Sequence, residues 1–268
     1  MSVSVPAITP WPARPLEGHV VLVTGGGAGV GRGIAQAVLG AGGSVAIADR
    51  DPDALAACLA EWQLGERALA VRMDVSDGDS VAAGMAQVLA HFGRLDGLVN
   101  NAGIADPHLP PLDAASWEDW QRGLSSLHGA FWCSRAALPA LRASGRGAVV
   151  NIASTRAHQS EPHSEGYAAA KGGLLAFSHA LALSEGPAVR VNAITPGWIE
   201  TADWQGPATR SQPQHRAIDH AQHPAGRVGV PQDIGTLAVF LLSPLSGFIT
   251  GQEFIADGGM SRKMHYAD

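Results

Sequence analysis

The chain has 268 residues, 46% hydrophobic and 16% charged, with a formal net charge of −6. That length holds one large α/β domain or two small ones, with apolar residues enough for a sizeable core. The basic residues are scattered, which argues against a nucleic-acid surface, and no apolar run approaches the length of a membrane span. Residues 1–17 carry four prolines and read as an extended arm. They lack the apolar stretch of a secretory signal, so a cytoplasmic location is expected. In that setting Cys58 and Cys133 are two reduced thiols rather than a disulfide.

Short β-branched runs then alternate with Ala- and Leu-rich segments. The runs are HVVLVT (19–24), SVAIAD (44–49), RALAVRM (67–73), LDGLVN (95–100), GAVVNIA (147–153), AVRVNAI (188–194) and EFIA (253–256). Most are nearly continuous in apolar residues, as strands covered on both faces are. Helical patterns such as GRGIAQAVLGAG, DSVAAGMAQVLAHF and DIGTLAVFLLS lie between them. The alternation predicts an α/β fold, a doubly wound parallel sheet with helices on both faces. Residues 201–226, rich in Gln, Pro and His, read as a mobile loop or a short helical lid. A polar lid accounts for His215, His220 and His223 better than a metal site does. Trp117, Trp120 and Trp132 are expected to pack helices.

The segment TGGGAGVGRG follows the first strand and opens the first helix. Gly25, Gly29 and Gly31 after Thr24 form a G-x-x-x-G-x-G pattern. Such a turn lets backbone approach a pyrophosphate, whose charge sits at the helix N-terminus. No Lys follows the glycines, which excludes a P-loop. Asp49 ends the second strand, where a carboxylate accepts both ribose hydroxyls and repels a 2′-phosphate. Arg50 beside it could instead pair with that phosphate. NAD is favoured over NADP, because Asp49 comes first and no basic residue lies among the glycines.

Tyr167 and Lys171 stand four apart in YAAAK. The chain has only two tyrosines, the other being Tyr266, and only two lysines, the other being Lys263. Chance gives such a pair roughly one time in seventy, so alone it is only suggestive. On a helix the two side chains share a face. A neighbouring ammonium favours the phenolate and lowers the phenol from its usual value near ~10. Tyr167 can then take a proton from an alcohol or give one to a ketone.

With these residues together, the chain from Gly18 to Gly259 resembles the short-chain dehydrogenase/reductase family. TGGGAGVG is similar to its cofactor turn, with Gly29, Val30 and Gly31 at the phosphates. MDVSD places Asp74 and Val75 where the family contacts adenine. NNAG supplies Asn101, Ala102 and Gly103. NIAS ends in Ser154, and YAAAK is similar to the family's Y-x-x-x-K. The segment RVNAITPGWIET brings Pro196, Gly197, Ile199 and Thr201 to the nicotinamide. GRVGVPQDI, FITGQ and DGG match its C-terminal third.

The resemblance implies one Rossmann-type domain (18–259) with a seven-stranded parallel sheet, followed by a tail (260–268). It implies a small-molecule alcohol or ketone substrate and a homotetramer or homodimer, with Met260, Met264 and Tyr266 of the tail docking on a neighbouring subunit. Ser154 would hold the substrate oxygen, and Lys171 would bond the nicotinamide ribose. One departure stands out. The family has Asn in an N-x-x-G-x-F pattern, where it helps to hold a water linking the Lys to solvent; here SSLHGAF places Ser126 there. Two functions follow: an NAD-dependent dehydrogenase, or an NAD-binding protein with little turnover. The polar segment between Ser154 and Tyr167, with Arg156, His158, Glu161, His163 and Glu165, leans toward a hydroxylated or charged substrate, such as a sugar or polyol.

Overall fold

The computed structural model describes residues 12–63, 65–104 and 108–264. Most of the Pro-rich arm, and Tyr266 of the tail, lie outside the described residues. Seven strands form one parallel sheet. They are β1 (Val20–Thr24), β2 (Ser44–Asp49), β3 (Ala68–Arg72), β4 (Gly97–Asn100), β5 (Gly147–Ile152), β6 (Val189–Pro196) and β7 (Glu253–Ala256), in the order β3-β2-β1-β4-β5-β6-β7. Each expected strand is present, with ends shifted by a residue or two. β6 is the longest, because Thr195 and Pro196 pair with Ile255 and Ala256 of β7. The dipeptide Thr-Pro reads locally as a stop, and only the neighbouring strand carries it further.

Among the described residues eight α-helices accompany the sheet: α1 (Gly29–Gly40), α2 (Pro52–Trp62), α3 (Gly78–Phe92), α4 (Trp117–Gly123), α5 (Ser125–Ser144), α6 (Glu165–Glu185), α7 (Ala217–Ala221) and α8 (Pro231–Leu242). Strand side chains alternate between faces. In β1, Val21 and Val23 meet Ile34 and Val38 of α1 and Leu241 of α8. Leu22 meets the opposite layer, with Val88 of α3 and Cys133 and Leu141 of α5. Both faces of β1 are therefore dry, and each such Val or Leu contributes about 1.5–3 kcal/mol by leaving water. Cys58 and Cys133 are free and buried, and burial pushes the Cys133 thiol up to about 12.

A chain of polar groups crosses this apolar interior. Asn100 at the end of β4 donates to Ser134 Oγ of α5 at 3.1 Å and to Asn151 Oδ1 of β5 at 2.8 Å. Asn151 donates in turn to Ser178 Oγ of α6 at 2.8 Å, and Ser178 donates to the Leu174 carbonyl. All four residues are buried. The chain ties two central strands to the two helices behind them.

Strand order reverses between β1 and β4, so the loops leaving their C-terminal ends turn away from each other. A crevice at that place is the expected ligand site of an open parallel sheet.

Candidate active site

A cleft of about 1690 Å3 opens at the C-terminal ends of the strands. Its first end is the glycine turn. Gly25 has φ +62, and a Cβ there would lie 2.9 Å from Asn101 Nδ2. A Cβ on Gly31 would overlap the Gly25 carbonyl oxygen. The turn is held from beneath. Thr24 Oγ1 donates to the Val99 carbonyl and accepts from the amides of Asn101 and Ala102 at 3.0 and 3.1 Å. Asn101 Nδ2 donates to the carbonyls of Thr24 and Gly25. The N-terminus of α1, capped by Ala28, has no side-chain hydrogen bond to its first amides. Those unclaimed amides, the positive end of the α1 dipole and the bare glycine backbone fit a pyrophosphate.

Asp49 stands at the end of β2. Its Oδ2 accepts from the Gly27 amide at 3.1 Å and its Oδ1 from the Asp51 amide at 3.2 Å. Arg50 is exposed beside it, and both line the cleft. Asp74 accepts from the amide and hydroxyl of Ser76 at 2.9 and 2.7 Å, which hold its carboxyl below the usual range. The sequence reading passed over Arg32, directly after Gly31. Its guanidinium is buried, pairs with Glu61 and donates to the Gln205 carbonyl. Arg32 is thereby kept from a phosphate. Only its partners, 29 and 173 positions away, reveal this.

Ser154, Tyr167 and Lys171 meet at the middle of the cleft. Ser154 follows β5 and caps the short turn Thr155–Ala157, accepting from the Arg156 amide at 3.2 Å. Tyr167 and Lys171 share a face of α6, as their spacing requires, and Lys171 Nζ lies 5.4 Å from the Tyr167 ring centroid. The Lys171 ammonium is buried and donates to the Ile152 carbonyl at 2.8 Å. Burial lowers it to about 8. Tyr167 corrects an expectation. Its phenol is pushed up, because burial outweighs the Ser154 hydrogen bond and the nearby Arg156 charge, both of which lower it. The Lys171 ammonium, hydrogen-bonded to the Ile152 carbonyl, does not reverse the balance.

Pro196, Gly197, Ile199 and Thr201 line the same cleft, as do Val30, Val75, Ala102 and Gly103. Ser126 is buried on α5, and its Oγ has no hydrogen-bond partner among the described residues. Ser126 does not line the cleft; Ser125 and His128 of the same helix do. Two residues at three-residue spacing mark that helical face, although a sequence pattern aligned on Gly129 pointed to Ser126.

Residues 201–226, expected as a mobile loop or a short helical lid, carry a short turn at Ala202–Trp204 and then α7. Glu200 ties the start of this segment to His215. One carboxylate oxygen accepts from the Thr201 and Ala202 amides at 2.8 Å, and the other lies 2.8 Å from His215 Nε2. His220 Nδ1 accepts from the Val228 amide, and His223 is buried. Trp132 packs as expected, against Gly78 of α3. Trp117 does not: it is 67% exposed and rims a separate hollow of about 240 Å3 with Leu109, Leu112 and Trp120. A short helix flanked by an open loop leaves it no partner layer. Met260 of the tail lines the cleft of its own chain. No helix among the described residues is long and apolar enough to cross a membrane.

Residues 25–261 match the family model described as enoyl-(acyl carrier protein) reductase. An uncharacterised oxidoreductase of Thermotoga maritima is 45% identical over 259 residues, covering 94% of this chain and all of that protein. The chain belongs to the short-chain dehydrogenase/reductase family. A cis-4-hydroxycyclohexanecarboxylate dehydrogenase of Sinomonas cyclohexanicum is 37% identical over 246 residues, which cover 90% of this chain and 96% of that one. Among solved structures, a SCOR enzyme from Clostridium thermocellum superposes with a TM-score of 0.81 at 38% identity, covering 92% of this chain and 94% of that one. Short-chain dehydrogenases are oxidoreductases that work with nicotinamide dinucleotides.

Proposed function

We propose that the protein is an NAD-dependent oxidoreductase interconverting a secondary alcohol and a ketone. The observation that carries this reading is that Ser154 and Tyr167 line one cleft, with Lys171 buried on the same α6 face, its Nζ 5.4 Å from the Tyr167 ring centroid. The amides of the Gly25–Gly31 turn would hold the pyrophosphate, Asp74 and Val75 the adenine, Asp49 the adenosine ribose, and Pro196 to Thr201 the nicotinamide side. The nicotinamide, when bound, accepts or delivers the hydride. Ser154 donates to the substrate oxygen and fixes it near Tyr167 Oη. Tyr167 takes the carbinol proton in oxidation and returns it in reduction. Lys171 Nζ stands 5.4 Å from the Tyr167 ring centroid, and its positive charge works against the burial that raises the phenol.

Asp49 supports NAD over NADP. Its two oxygens are already fixed by backbone amides, and a 2′-phosphate beside them would place like charges together at a site where Arg32 is taken. Ser126 supports a second, weaker reading, a dinucleotide-binding protein with little turnover. Its buried, unpartnered hydroxyl matches a water-holding role, with one donor fewer than an Asn amide offers. The family resemblance alone carries the homodimer or homotetramer in this reading. Light scattering of a monomer at micromolar concentration would remove the assembly from this reading.

The direct test is reduction of NAD by a panel of polyols, cyclic alcohols and hydroxy acids, followed by nicotinamide absorbance. Turnover that disappears in Tyr167→Phe supports the dehydrogenase. Tight NADH binding with no turnover of any alcohol or ketone in either direction supports the binding protein.

A further inference from the structure

Arg156 stands two residues after Ser154, and its Cζ lies 6.0 Å from the centroid of the Tyr167 ring. Three guanidinium groups line this end of the cleft, those of Arg122, Arg156 and Arg216, against the carboxylates of Glu161 and Asp219. They are not equivalent. Arg216 is 80% exposed and is held by Asp219 through two nitrogens, at 2.9 and 3.2 Å. Arg122 is 57% exposed and bonded to Asp119 at 3.2 Å. Arg156 is 29% exposed, pairs with Glu161 through Nη2 alone, and has no bond from Nε or Nη1 to any described residue. Glu161 is the loose half of that pair. It is 54% exposed and shared with His108 at 3.4 Å. An exposed carboxylate on an enclosed guanidinium is weakly held and readily replaced. A guanidinium keeps a planar edge that matches a carboxylate through two parallel hydrogen bonds.

Resting on the roles given above to Ser154 and Tyr167, we propose that Arg156 binds an anionic group of the substrate, which is a short hydroxy acid or keto acid. The carboxylate displaces Glu161 from Nη2 and takes the Nε/Nη2 fork, while the carbinol oxygen sits between Ser154 and Tyr167. An uncharged polyol would leave Glu161 in place and gain nothing from Arg156. Arg156 then selects among alcohols, whereas Tyr167 and Ser154 are indifferent to the distant end of the molecule.

The test uses matched pairs of aliphatic and cyclic hydroxy acids, each against its own methyl ester, with the wild-type, R156Q and R156K proteins. The wild type should prefer acid over ester by at least about tenfold in kcat/KM. R156Q should lose that preference, chiefly through KM of the acid. R156K should keep part of it, because a point charge remains without the fork. E161Q should keep or strengthen it. Equal acid-to-ester ratios in wild type and R156Q overturn the assignment. Calorimetric binding of the same acids to the NADH-loaded proteins reads Arg156 without turnover, and equal affinities for wild type and R156Q overturn it as well. Acids that bind the wild type and not R156Q, with no alcohol oxidised by either, would uphold Arg156 while sinking the roles of Ser154 and Tyr167.

Discussion

At one end of the cleft Thr24, Asn101 and the glycine turn are knitted to one another through backbone amides and carbonyls. At the other end Arg122, Arg156 and Arg216 reach from separate segments on long side chains, each leaning on a carboxylate three to five residues away. The first end is made of backbone and short side chains whose geometry the sheet dictates. Under the proposed reading its backbone amides meet the pyrophosphate, which every nicotinamide dinucleotide shares. The second end is made of side chains that can change without disturbing a strand. Chemistry common to a family belongs at the rigid end, and selectivity belongs at the adaptable one.

The comparison can be broken most forcefully between the two ends. Tyr167→Phe keeps the ring and removes the proton carrier, so turnover should be almost abolished while NADH fluorescence titration shows binding largely kept. Retention of a tenth of the wild-type turnover would end the assignment. Thr24→Val attacks the rigid end. It leaves the Asn101 and Ala102 amides without their acceptor and should cost about 2–4 kcal/mol of stability, read by urea unfolding. An unchanged midpoint would show that the turn is not held from beneath. By contrast, Arg122→Ala should shift the midpoint little.

Lys171 sharpens the contrast through pH. Its folded value is depressed to about 8, against an ordinary value near ~10.5 when unfolded. The unfolded chain therefore binds the extra proton between these values. The penalty is fully present below pH ~8 and is relieved as pH rises toward ~10.5. Lys171→Met should accordingly raise stability at neutral pH, by roughly 1–3 kcal/mol, and remove the rising limb above pH ~8. Superimposable stability profiles would contradict the burial of that charge.

Smaller effects lie at the ribose and at α5. If Asp49 selects the ribose, NAD should be preferred over NADP by at least about tenfold in kcat/KM, and Asp49→Ala should narrow the gap. Equal efficiency with both in the wild type would hand the choice to Arg50. Ser126→Ala should lower kcat by roughly two- to tenfold with KM nearly fixed, as loss of one hydrogen bond predicts. Identical rate profiles from acid to alkaline pH would reduce Ser126 to a packing residue.

The parts of the fold legible in the sequence were those written in contiguous residues. Seven apolar runs became seven strands, and the glycines after Thr24 became the turn. The i, i+4 spacing of Tyr167 and Lys171 put both on one helix face, and Ser154 joined them because strand ends converge at one edge of the sheet. What could not be read depended on distance along the chain. Nothing near Arg32 announces Glu61 or Gln205. Nothing in YAAAK says that Lys171 will donate a hydrogen bond to the Ile152 carbonyl, or that burial will outweigh charge at Tyr167. Trp117 looked like a packing residue because tryptophans usually are, yet the loop before it supplies no opposing layer.

The polar chain from Ser134 through Asn100 and Asn151 to Ser178 makes the site's alignment a property of the core. Ser154 leaves β5 just past Asn151, and Tyr167 rides on α6 ahead of Ser178. A hydroxyl on a strand end and a phenol on a helix are thus referred to one common datum, two hydrogen bonds thick and closed to water. Sliding or rolling α6 by a fraction of a turn would strand the Asn151 amide in a dry interior, a tilt the molecule cannot make gradually. The two hydroxyls keep their spacing until the whole sheet lets go, so the enzyme should lose its calibration and its fold together. In hydrogen exchange the Asn151 and Ser178 backbone amides would then open only with global unfolding, while the Arg-lined rim breathes freely above them.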